Sequence, residues 1–142
     1  MSVVRATLPV SVGKRGVRVR ELAAVAAGGA IGASLRWSLG GWIVGRTGPG
    51  FPWHTMLINV SGAFLIGVLM ALSVDKGVIS ADWRLFLATG VLGGFTTFST
   101  LSYESIALMQ DGLWVAGLTN MFASGAAGLV AAWLGLVTGR AL

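Results

Sequence analysis

Residues 113–139 read LWVAGLTNMFASGAAGLVAAWLGLVTG, and no side chain in the run carries a formal charge. A helix needs roughly 20 apolar residues to cross about 30 Å of hydrocarbon, and this run meets that length. Three comparable stretches precede it. Residues 22–44 are interrupted only by Arg36, residues 53–74 carry no formal charge, and residues 85–110 carry only Glu104. Residues 45–52 (GRTGPGFP), the polar residues 75–84 and the pair Asp111-Gly112 punctuate them, with the chemistry of turns and loops. In lipid, only helices and closed barrels pair all their backbone groups, and nothing in this chain alternates with a period of two. The pattern predicts an all-α membrane protein with four transmembrane helices over residues 21–142, behind a basic tail at residues 1–20.

Composition points the same way. Of the 142 residues, 55% are hydrophobic and 11% charged, and the mean hydropathy is +0.82. Soluble domains carry about 25% charged residues, so this chain cannot coat a soluble surface. It has no cysteine, one histidine and five acidic residues. That excludes disulfides and thiolate sites and argues against a zinc or di-metal hydrolase. No nucleophile–base pair stands out, which makes an enzyme the weakest class.

The net charge of +5 is a property of one end. Arg5, Lys14, Arg15, Arg18 and Arg20 lie in the tail, and the rest of the chain carries five basic and five acidic groups. Such a tail beside an apolar helix fits lipid headgroups better than nucleic acid. A signal peptide is the rival reading of the first apolar run, but the run continues past Arg36 and is too long for one. Four crossings place both termini on one side. That side holds the tail, Lys76, Arg84 and Arg140, against Arg46 alone on the other. The positive-inside rule then puts both termini in the cytoplasm. Without the tail the bias is three to one.

Glycine occurs 22 times. Gly28/Gly32, Gly41/Gly45 and Gly135/Gly139 are G-x-x-x-G pairs, and Ser124/Gly128 is a small-residue pair of the same spacing. These let helix backbones approach closely in lipid, and a homo-oligomer is the economical use of so much small-residue surface.

Polar groups at membrane depth are costly and each needs a reason. Arg36 either snorkels to headgroups or serves a structural or electrostatic role at a vestibule. Asn59, one turn after Thr55, either bridges helices or offers amide donors to an anion. Glu104 is a candidate for proton coupling, for pairing with Arg36, or for a helix-bridging hydrogen bond. Asn120 and Ser124 form a polar stripe that either lines a path or glues helices. His54 sits at the entry to the second segment and reads as interfacial. The third segment contains Gly93-Gly94-Phe95-Thr96-Thr97-Phe98-Ser99-Thr100, two glycines and then a hydroxyl-rich run that makes a poor continuous helix. An inert kink is one reading. A broken helix whose free carbonyls and amides build an ion site is the other.

Three stretches carry a family resemblance. Residues 28–37 (GGAIGASLRW) resemble the G-G-x-x-G-A-x-x-R-[YW] signature of the Fluc (CrcB) fluoride channels. Residues 55–64 (TMLINVSGAF) resemble that family's T-L-x-V-N-x-x-G-x-F, and residues 93–100 resemble its G-G-x-T-T-F-S-T, with Glu104 where the family has a glutamate. The motifs occur in order on the first three segments, and the resemblance spans about residues 22–139.

The resemblance implies an antiparallel, dual-topology homodimer with two fluoride pores, in the cell membrane. It also implies a structural sodium ion (Na+) at the dimer interface, held by backbone carbonyls of Gly93 and Thr96. It places Asn59 in the pore and puts Phe98 at the first position of a phenylalanine pair. Leu101 stands where the second phenylalanine is often found, and Asn120 where the family has a tyrosine. Asn120 and Ser124 fall on the family's polar track.

The chemistry of the residues is compatible with that role. Fluoride is small and strongly hydrated, so a pore must replace its water with donors. The Asn59 amide and the hydroxyls of Thr55, Ser99, Thr100 and Ser124 are donors, and the ring edge of Phe98 is electropositive. On period alone, Phe98 reads as core packing. No nucleotide-binding motif appears, so transport is expected to be passive. Fluoride would enter as the neutral acid and leave as the anion, driven by the membrane potential. The main rival is a proton-coupled exporter of the small multidrug-resistance type, also built from four helices. Those exporters carry a carboxylate midway along the first helix, where this chain has Arg36. A structural membrane protein without transport leaves the third-segment glycine–hydroxyl run unexplained.

Overall fold

The computed structural model describes Gly16 and residues 18–142. Arg5, Lys14 and Arg15 of the basic tail lie outside the described residues. Among the described residues all regular structure is helical, and four stretches are long and apolar enough to cross a membrane: Val19–Thr47, Trp53–Asp75, Ala81–Gln110 and Trp114–Ala141.

Local chemistry explains where each helix begins and ends. Helix α1 (Val19–Thr47) starts where the Glu21 carboxylate accepts from the Arg18 backbone N–H at 3.3 Å and from its Nε at 2.8 Å. It stops at Gly48, whose φ of 73° is open to glycine and strained for other residues. Helix α2 (Trp53–Asp75) is α-helical to Met70 and widens to π-type turns over Ala71–Asp75. Helix α3 (residues 81–95) is capped by the Ser80 hydroxyl, which accepts from the Trp83 N–H, and is π-wound over Leu85–Leu92. Thr96 and Thr97 then take extended angles (φ −86°, ψ 157° and φ −152°, ψ 118°). Helix α4 (Phe98–Gln110) follows, capped by the Thr97 side chain. A tight turn at Gly112 (φ 83°) leads to α5 (Trp114–Ala141).

The glycines set how closely these helices meet. A Cβ on Gly28 would sit 2.6 Å from the Phe86 carbonyl oxygen and 2.9 Å from Gly90 Cα, and one on Gly32 would run into the Val91 carbonyl. Helices α1 and α3 are therefore packed backbone against backbone. Gly135 and Gly67 do the same between α5 and α2, against the Phe64 and Ala132 carbonyls. Two of the three G-x-x-x-G pairs are thus consumed inside the chain, whereas Gly41 and Gly45 have nothing within 4 Å.

The interior is mixed, with Ile58, Leu69 and Leu92 buried alongside several polar residues. Thr55, Ser105, Asn120 and Ser124 are buried, while Trp37, Val115 and Leu129 lie uncovered. Such an apolar exterior belongs against lipid or another chain. At one end of the bundle, Arg20 pairs with Asp82 at 2.8 Å and Arg140 with Asp75 at 2.6 Å. These pairs tie the start of α1 and the end of α5 to the α2–α3 connection, as an even number of crossings requires.

Because Gly32 faces a backbone carbonyl that cannot move aside, Gly32→Val is expected to lower stability by about 2 kcal/mol or more. Gly125→Val, facing open space on α5, is expected to be neutral or to gain about a few tenths of a kcal/mol, because valine is a better helix former than glycine. Unfolding midpoints of the two variants in detergent check the contrast.

Candidate functional site

The interruption between α3 and α4 has its own pairing. In a continuous helix the Thr97 N–H would bond the Gly93 carbonyl. Here it donates to Asn59 Oδ1 at 2.7 Å, and Asn59 Nδ2 donates to the Thr97 carbonyl at 2.9 Å. The side-chain amide of α2 thus holds both backbone groups of the extended residue. Thr97 is itself buried. Leaving a buried N–H or C=O unpaired costs about 1–3 kcal/mol each, so the pairing is what makes the extended conformation tolerable. The Thr97 hydroxyl adds contacts to Thr100 Oγ1 at 3.0 Å, Ser99 Oγ at 3.2 Å and the Thr100 N–H at 3.2 Å. Thr96 retains its backbone bond to the Leu92 carbonyl, which also accepts from the Thr96 hydroxyl.

Arg36 reaches this region from α1, with Nη1 3.4 Å from the Thr96 carbonyl oxygen. Together with Trp42, His54, Thr55, Thr97 and Thr100 it lines an open cleft of about 560 Å³. The cleft is bounded by α1, α2 and the interruption, and most of its lining is apolar.

Deeper in, Glu104 Oε1 accepts from the Thr55 hydroxyl at 2.9 Å and lies 3.1 Å from His54 Nε2. Of the three readings of Glu104, the structure brings out the helix-bridging one. Its contacts are on α2, and Arg36 contacts Thr96 instead. His54, read as interfacial, is drawn into this cluster. Glu104 Oε2 has no hydrogen-bond partner among the described residues. On α5, Asn120 is wholly buried and donates to Ser105 Oγ at 3.0 Å, and Ser105 in turn donates to the Leu101 carbonyl at 2.8 Å. Asn120 Oδ1 and Ser124 Oγ, one turn apart, are buried without a partner among the described residues.

The aromatic and glycine positions behave differently. Phe98, the first helical residue of α4, is 79% exposed on the isolated chain, so it is not core, whereas Leu101 is buried. Gly93 is exposed, and a Cβ there would meet only the Ala88 carbonyl oxygen, at 3.7 Å. Its being glycine is not required by packing within this chain, unlike Gly28, Gly32 or Gly94.

Residue-type reasoning passed over two participants. Thr97 acts through its backbone, which no sequence spacing displays. Ser105 was hidden by its neighbour Glu104, although it stands one turn after Leu101 and faces α5.

These features describe a small polytopic membrane protein with four membrane-capable helices and an open cleft beside the extended residues Thr96 and Thr97. Residues 23–136 match the family model described as CrcB-like protein, Camphor Resistance (CrcB). Two relatives from Thermus thermophilus strains, each called fluoride-specific ion channel FluC, are 52% identical over 118 residues. That alignment covers 83% of this chain and 92% and 94% of theirs. A relative of the same name from Rhizobium meliloti is 46% identical over 118 residues, 83% of this chain and 94% of its own. The chain belongs to the CrcB family and is a multi-pass membrane protein.

The Glu104 cluster makes a direct prediction. Glu104→Leu removes the acceptor of the buried Thr55 hydroxyl and the partner of His54, and is expected to destabilise by about 1–3 kcal/mol. Glu104→Gln keeps an acceptor oxygen and is expected to lose less than half as much. Denaturation midpoints of the purified variants check this.

Proposed function

We propose that the protein is a fluoride-specific channel that lets cytoplasmic fluoride leave the cell passively and so confers fluoride resistance. The observation that carries this reading is identity of 46–52% over nearly the whole length of relatives named as fluoride-specific channels. The exporter alternative is not favoured. The family matched is CrcB, and Glu104, the carboxylate of the third crossing, is engaged by Thr55 and His54.

In this reading the interruption at Thr96-Thr97 lies inside the bilayer. The fluoride path runs beside it, past Asn59, Phe98, Thr55, Ser99 and Thr100. On the far side, Asn120 and Ser124 offer a polar track and Leu101 narrows the wall. Arg36 and Glu104 flank the vestibule, where a positive charge raises the local anion concentration. The Thr55 hydroxyl gives its one hydrogen to Glu104, so the donors left for the anion are led by the second Nδ2 hydrogen of Asn59 and by the Thr100 hydroxyl, which accepts from Thr97 and keeps its own hydrogen. Selectivity over chloride comes from width and donor spacing.

The functional unit is an antiparallel, dual-topology homodimer in the cell membrane. Two observations support a second chain: the exposed Gly93 with room for a Cβ, and the open face at Gly41 and Gly45. The backbone also fits the sodium ion that the family resemblance implies. The Gly93 carbonyl has lost its usual donor to Asn59, and the Thr96 carbonyl has only a long contact with Arg36. These two carbonyls would hold the ion, and its charge would balance converging carbonyl dipoles that are costly to bury together.

Two outcomes are expected. Reconstituted in liposomes, the protein releases trapped fluoride, read with a fluoride electrode, while trapped chloride is retained at least a hundredfold better. Comparable release of both anions contradicts the specific-channel reading. Gly93→Val, which meets no obstacle within its own chain, still gives a helical protein by circular dichroism but loses any extra thermal stability that sodium confers over a large organic cation. Unaltered sodium stabilisation in that variant contradicts the assignment of Gly93.

A further inference from the structure

We infer that Asn59 is the positioning residue of the interruption, and that its first task is to hold Thr97 rather than to meet the anion. The inference rests on the channel reading of the site and goes beyond the pore-lining role given to Asn59 there.

The argument begins with what Thr97 gives up. Its extended angles remove it from the helical ladder, so both of its backbone groups need partners inside the bundle. The side-chain amide of Asn59 is a planar acceptor and donor side by side, the complement of a backbone N–H and C=O on one residue. Only one orientation of that amide satisfies both contacts, with Oδ1 on the N–H at 2.7 Å and Nδ2 on the carbonyl at 2.9 Å. Aspartate lacks the donor, leucine lacks both groups, and serine is too short to span the pair.

Consequences follow along the chain in both directions. Upstream, the Thr97 N–H no longer bonds the Gly93 carbonyl, which is thereby released. Downstream, Thr97 is the N-cap of α4, with Oγ1 accepting from the Thr100 N–H. Phe98 is the next residue and the first of that helix. Asn59 therefore sets where the released carbonyl points and where the Phe98 ring begins. One Nδ2 hydrogen is used on Thr97, which leaves a single hydrogen for any other acceptor. A helix-bridging asparagine that merely adds stability has no such reach, because its loss loosens the bundle without altering ion discrimination.

The test compares wild type, Asn59→Leu and Asn59→Ser in the full chain, labelled with 15N-threonine. Two readouts are taken: amide exchange at Thr97, and the ratio of fluoride to chloride flux from liposomes. In Asn59→Leu, Thr97 exchange is expected to accelerate at least tenfold while Thr138, far along α5, is unchanged, and the flux ratio to fall at least tenfold. If that variant does not fold, Asn59→Ser decides. It stays polar and uncharged but is too short to span the Thr97 N–H and carbonyl. Its Thr97 exchange should accelerate at least tenfold and its flux ratio fall at least tenfold. Two results overturn the inference. One is unaltered Thr97 exchange in Asn59→Leu, even if fluoride flux is lost, because Asn59 would then act on the anion directly. The other is accelerated exchange with an unaltered flux ratio, because the pairing would then be structural only. A wild-type protein that passes no fluoride fails the channel reading alone, and the Thr97 exchange comparison still decides the clamp.

Discussion

A backbone N–H or C=O taken out of the helical ladder inside an apolar bundle must find another partner, and this one constraint organises the structure around Thr97. Thr97 is buried within the bundle, and leaving such a group unpaired costs about 1–3 kcal/mol. Asn59 supplies both bonds from α2. The Thr97 hydroxyl supplies the cap of α4. Remove the amide from α2, and the extended pair Thr96-Thr97 becomes the least stable segment of the crossing. With the amide present, the same segment becomes a fixed feature beside which a cleft, a guanidinium and several hydroxyls can be arranged.

That fixed feature needs rigid walls, and glycine builds them. Helices α1 and α3 touch through Gly28, Gly32, Gly90 and Gly94, with no side chains to cushion the contact. Helices α2 and α5 do likewise through Gly67, Gly135 and Gly139. Such contacts are short and intolerant of an added carbon, so they register the helices against one another. Arg36 on α1 and Asn59 on α2 are thereby presented to the same two residues. The exterior is largely apolar, and the few buried polar residues are placed among hydrophobic ones.

The four crossings were legible because charge is so sparse: three uncharged or nearly uncharged runs and one broken only by Arg36 leave little else to consider. The region of interest was legible from Gly93 to Thr100, since consecutive glycines and hydroxyls are poor helix formers. What could not be read was direction. The sequence shows that Gly28 and Gly32 favour close packing, but not that the partner is α3 of the same chain. It shows a carboxylate at Glu104 and a guanidinium at Arg36, which invite pairing. The fold instead brings Glu104 to His54 and Thr55, and Arg36 to the Thr96 carbonyl. Asn59 was visible as a costly polar residue, yet its partner is a backbone amide, and a backbone amide has no signature in a sequence. Leu101 packs into the interior, a consequence that its identity alone does not reveal.

The most direct measurement is the reversal potential of the protein in a planar bilayer, with a tenfold fluoride gradient, symmetrical chloride and symmetrical pH. A passive pathway specific for fluoride reverses at the fluoride equilibrium potential and holds that value when chloride is varied. Reversal that follows chloride, or that moves with an imposed pH gradient at constant fluoride, contradicts the account.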